Sequence, residues 1–115
     1  MAAEKRRFHR AFQPFHVQIR NYNQLAETSQ QVEALDISAG GLGFQSPHPF
    51  ELGVELEIKL LVPHTSPLVL VGKIMWSRPQ SQDLMRYGVE FLSLTSDQQL
   101  QLDELVQFLR KSRPS

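Results

Sequence analysis

Six short runs of alternating hydrophobicity, turn residues about every ten positions and one C-terminal stretch of helical period together predict a mainly β fold. The architecture they suggest is a six-stranded antiparallel β-barrel closed or capped by a C-terminal α-helix. A chain of 115 residues suits one compact domain. The reading divides it into a basic N-terminal arm at 1–12, expected to be flexible, a barrel at 13–94 and a helix at 95–112.

The first strand is read from Phe15, Val17 and Ile19, which alternate with His16, Gln18 and Arg20. Val32, Ala34 and Ile37 mark a second strand and residues 42–45 a third, the three forming a meander. Pro47 and Pro49 then remove backbone donors and fix a turn. Val54, Leu56, Ile58 and Leu60 share one face of a fourth strand, with Glu55, Glu57 and Lys59 on the other. In the fifth strand Leu68, Leu70, Gly72, Ile74 and Trp76 follow one face, which places Trp76 in the core. Val69, Val71 and Met75 make the opposite face apolar too, so the helix is expected to cover it. Residues 78–83 read as a polar loop, and Tyr87, Val89 and Phe91 as the sixth strand. Thr95 with Gln98, or Ser96 with Gln99, resembles a capping box; Leu102, Leu105, Val106 and Leu109 then recur at helical spacing.

Composition limits the function classes. The net charge is zero, but Lys5, Arg6, Arg7 and Arg10 against Glu4 leave the first ten residues at plus three and the remainder at minus three. Positive charge so localised argues against a general nucleic-acid face. With no cysteine there is neither a disulfide framework nor a thiolate metal site. Apolar runs such as 68–71 fall far short of a membrane span, and the expectation is a cytoplasmic protein without membrane insertion. His48 and His64 stand among prolines without partners at metal-ligand spacing, so no metal is expected.

Two segments carry chemistry. In Asp36-Ile37-Ser38-Ala39-Gly40-Gly41-Leu42-Gly43 a carboxylate and a hydroxyl precede three glycines, more than a tight hairpin needs. Gly41 and Gly43 let backbone come close to a ligand, Ser38 can donate to a phosphate oxygen, and an ionised Asp36 can accept the two donors of a guanine Watson–Crick edge. The other segment is Arg6-Arg7-Phe8-His9-Arg10, whose planar guanidinium groups suit phosphate and the guanine Hoogsteen edge. A plain anion site would have no use for Asp36.

These segments resemble the two motifs of the PilZ domain, the bacterial receptor for cyclic di-GMP: R-x-x-x-R at Arg6 to Arg10, and [DN]-x-S-x-x-G at Asp36 to Gly41. The resemblance continues through Gly72-Lys73-Ile74-Met75-Trp76 and Tyr87-Gly88-Val89-Glu90-Phe91 to the C-terminal helix, so it covers roughly residues 4–112. It implies that Arg6 and Arg10 clamp phosphates and guanines with Arg7 assisting, that Asp36 and Ser38 contact guanine and phosphate or ribose, and that Gly41 forms the turn. Gly43 and Trp76 are further candidates for ligand contact. The implied ligand is cyclic di-GMP, with no cofactor and no catalysis, and either one dinucleotide or a stacked pair is compatible with the motifs. A downstream protein partner is implied as well, in processes such as motility, biofilm formation or secretion. The competing readings are a protein-interaction adaptor of motility or secretion machinery that ignores the nucleotide, and a single-stranded nucleic-acid module. An enzyme is the weakest reading, because no histidine completes a nucleophilic set with Asp36 and Ser38.

Overall fold

The computed structural model describes residues 10–11, 15–22, 29–61 and 66–112. Seven strands and one helix follow one another there: β1 (Arg10–Ala11), β2 (Phe15–Asn21), β3 (Gln30–Ser38), β4 (Gly41–Ser46), β5 (Glu55–Leu60), β6 (Leu68–Ser81), β7 (Leu84–Leu92) and α1 (Ser96–Ser112). Alternation works as the sequence predicts in β2 and β5, where Val17, Ile19, Leu56, Ile58 and Leu60 are buried between polar neighbours. All pairings are antiparallel. β3 pairs with β2, β2 with β5, β5 with β6, β6 with β7 and β7 with β4, and β4 returns to β3. Six strands therefore close into the predicted barrel.

Both mouths of the barrel are covered. Leu102, Leu105, Val106 and Leu109 of α1 join the core, and the helix lies against β1 and β3. Its start is the predicted Thr95–Gln98 capping box: Gln98 N donates to Thr95 Oγ1 at 3.1 Å and Thr95 N to Gln98 Oε1 at 3.0 Å. At the other mouth the segment 47–54 carries the chain from β4 to β5, which are not neighbours. Tyr87 pins it, donating through its hydroxyl to His48 O and accepting from Phe50 N, while Phe50 meets Phe44 and Tyr87 edge-on.

Four features depart from the sequence reading. Arg10 and Ala11 form a short strand opposite Ser38 and Ile37, too brief to show any period. Residues 78–81, assigned to a loop, extend β6 far along β7, with Arg78 opposite Arg86; polar residues on both sides of this ribbon hid its strand character. The helix does not cover the outer face of β6, where Val69 and Met75 stay exposed. Trp76 is not in the core. An extra residue, Met75, lies between the Ile74–Val89 and Trp76–Gly88 pairs, and this bulge turns the indole outward to 41 % exposure.

Candidate ligand-binding groove

A second bulge sets the polar motif on the surface. Val32 and Ala34 point inward, and strict alternation would send Asp36 after them. Leu35 is instead an extra residue between the Ala34–Phe44 and Asp36–Gly43 pairs. The phase flips: Ile37 takes the inward place with no exposed surface, and Asp36 and Ser38 turn to the outer face.

On that face the strands β3, β4, β7 and β6 present three rows of side chains. The first runs Ser38, Gly41, Glu90, Lys73; the second Asp36, Gly43, Gly88, Trp76; the third Glu33, Gln45, Arg86, Arg78. Two glycines in the middle row leave a trough between the Asp36 carboxylate and the Trp76 indole. A Cβ on Gly43 would lie 3.1 Å from Asp36 Oδ2, and one on Gly88 only 2.1 Å from Trp76 Nε1. At Gly41 a Cβ would fall 2.0 Å from the carbonyl oxygen of Val89, so the turn into β4 admits no side chain there. The result is an open groove of about 430 Å³ lined by Asp36, Gly40, Gly41, Gly43, Trp76 and Glu90 among others.

Charge is ordered around it. Arg86 reaches over side-chain-free Gly43 and donates through Nη2 to Asp36 Oδ2 at 2.9 Å, partnering a carboxylate that is 5 % exposed. The Nε atom of Arg86 is buried and has no hydrogen-bond acceptor among the described residues. Arg78 stands 5.0 Å over the Trp76 ring as a cation–π pair. Gln45 donates to Glu33 Oε1 at 2.6 Å, and the Ser38 hydroxyl accepts from Gly40 N at 3.2 Å, tightening the β3–β4 turn.

Of the residues singled out in the sequence, Asp36, Ser38, Gly41, Gly43 and Trp76 come together on this face, and the backbone of Arg10 pairs opposite Ser38. Arg6 and Arg7 lie outside the described residues. The sequence reading missed Arg78, Arg86 and Glu90. The alternation of Tyr87, Val89 and Phe91 already placed Arg86, Gly88 and Glu90 on one outer face, but only the β4–β7 pairing brings that face beside Asp36.

The molecule is thus a closed six-stranded barrel with a C-terminal helix that carries a polar, glycine-floored groove on its outer face rather than in its interior. The PilZ domain family matches residues 4–108, and the chain belongs to that family. A comparison with the curated proteins finds no match. Among solved structures, the PilZ domain of YcgR from Escherichia coli with c-di-GMP superposes with a TM-score of 0.73 at 15 % identity, covering 94 % of this chain and 93 % of that one. The Bacillus subtilis inhibitor of motility, MotI/DgrA, gives 0.71 at 18 % identity, over 96 % of this chain and 53 % of that one. The K. pneumonia MrkH–c-di-GMP complex gives 0.71 at 12 % identity, over 93 % and 52 %. The chain thus spans about half the length of the latter two and nearly all of the YcgR domain. For the PilZ family cyclic di-GMP is a ligand, not a cofactor. Among the described residues there is no group of three or more histidine, cysteine or acidic residues suited to a metal, and no helix long and apolar enough to cross a membrane.

Proposed function

We propose that this chain is a cyclic di-GMP receptor domain, and that the nucleotide lies over the glycine trough between Asp36 and Trp76 with the N-terminal arginines closing on it. One observation carries the reading: β1 pairs the backbone of the last residue of the arginine motif with Ser38 of the other motif, although the two are some twenty-five residues apart in sequence. Arg6 and Arg10 supply charge-assisted bonds to phosphate and guanine, with Arg7 assisting. Ser38 and the backbone at Gly41 and Gly43 offer close polar contact, and Asp36, held by Arg86, anchors the acidic end. The family match and the c-di-GMP complexes of similar folds support the assignment.

The domain acts by sensing, without catalysis. Because α1 lies against β1, drawing Arg6 and Arg10 onto a dianion alters the surface that β1 and α1 share, and a downstream protein partner reads that change. On this reading the protein works in the cytoplasm. A second reading, an adaptor indifferent to nucleotide, is favoured by Leu100 and Phe108, both exposed on α1. Titration calorimetry with cyclic di-GMP decides between them, and its stoichiometry distinguishes one dinucleotide from a stacked pair. Binding by the intact chain that weakens at least tenfold in Arg10→Ala, with an unchanged circular dichroism spectrum, is the expected outcome. No binding by the intact chain sinks the receptor reading.

A further inference from the structure

Glu90 is the exposed carboxylate on the wall of the groove. It stands on β7 opposite Gly41 and two residues beyond Gly88 on the same face, roughly 7 Å along the strand from the position that Trp76 covers. Gly41 has no side chain, and Ser38 beyond it turns its hydroxyl to Gly40 N, so Glu90 borders the floor directly. Lys73 is its cross-strand neighbour on β6, yet the ion pairs among the described residues are Arg20–Glu57 and Arg86–Asp36. Among the described residues the carboxylate is therefore held in no ion pair, and it borders a groove that, on the reading above, takes a doubly negative ligand.

A charge so placed repels phosphate unless it meets donors. The base edges of a cyclic dinucleotide can provide them. Guanine presents N1–H and N2–H₂ side by side, spaced to match the two oxygens of a carboxylate. Adenine presents an acceptor at N1, which a carboxylate disfavours. Asp36 is the other acidic candidate for this edge, but it is 5 % exposed and already accepts from Arg86. We propose that Glu90 reads the Watson–Crick edge of a guanine and makes the groove select guanine over adenine cyclic dinucleotides. The inference rests on the receptor reading and goes beyond it, because Glu90 lies outside both sequence motifs.

The test is calorimetric titration of the intact chain, Glu90→Gln and Glu90→Ala with cyclic di-GMP and cyclic di-AMP. Glu90 is exposed, so both variants keep the circular dichroism spectrum of the intact chain. In both, cyclic di-GMP binding should weaken about tenfold or more while cyclic di-AMP binding holds or tightens, so the preference for guanine narrows. Plain electrostatics predicts the opposite sign: removing a negative charge would tighten both ligands. Variants that bind cyclic di-GMP as well as, or better than, the intact chain overturn the role of Glu90 and leave the receptor reading standing. An intact chain that does not bind cyclic di-GMP overturns both.

Discussion

Two glycines of the groove, Gly41 and Gly88, differ in what surrounds them, and their substitutions should differ accordingly. In Gly41→Ala the new methyl meets a backbone carbonyl that belongs to the β4–β7 ladder and cannot step aside. A loss of about 1–3 kcal/mol is expected, read as a lowered melting temperature. In Gly88→Ala the methyl meets the Trp76 indole, a side chain with solvent to move into. Stability should fall by less than about 1 kcal/mol, within the range of surface changes. Since Trp76 is the protein's one tryptophan, its fluorescence should shift clearly on the same substitution, and an unchanged emission spectrum would contradict the close contact. Asp36 shows the limit of reading residues singly. Its place in a motif was visible, whereas its partner Arg86 lies 50 positions away and belongs to no motif.

At the scale of elements, local rules worked where a stretch has one wet and one dry side. The α1 cap was legible as a choice of two boxes, and the structure selects Thr95. Thr95→Ala should cost about 1 kcal/mol in chemical denaturation, whereas Ser96→Ala should cost little. Between β2 and β5, Arg20 Nε donates to Glu57 Oε1 at 2.7 Å, and this hydrogen bond holds the Glu57 carboxyl below the usual glutamate range. A depressed carboxylate pKa stabilises the fold above the ordinary glutamate value and loses that contribution as pH falls through the folded-state value. The pair is partly solvated, so its worth is about 0.5 kcal/mol. Glu57→Gln should therefore be less stable than the parent at pH 7 and equal to it at about pH 2, as compared by urea titrations. The two bulges that orient Asp36 and Trp76 were not legible. Leu35 and Met75 are ordinary apolar residues in strands, and nothing local marks either as the one to be skipped.

For the whole molecule, barrel closure is what brings separate strands together around the groove. The meander of β2, β3 and β4 was readable, but the pairing of β7 with β4 was not, and Arg86, Gly88 and Glu90 reach the groove only through it. A ligand bound only by the closed barrel should raise the melting temperature, with a gain of about 2.7 kcal/mol when its concentration is a hundred times the dissociation constant. Arg10→Ala should lose this shift with cyclic di-GMP while keeping the melting temperature of the free protein. A shift that survives the substitution would place the nucleotide away from the β1 end of the groove.

The order of residues by itself determined the types of the main elements, the turn chemistry around Gly41, the local positive charge near the N-terminus and the two motifs. Each depends on neighbours a few positions apart, through alternation, helical period or side-chain identity. Tertiary structure decided which way Asp36 and Trp76 point, that 78–81 is strand, and that Arg86 meets Asp36. Those outcomes depend on hydrogen bonds between strands distant in sequence: one residue skipped in a ladder reverses every side chain beyond it, and only the partner strand says where the skip falls.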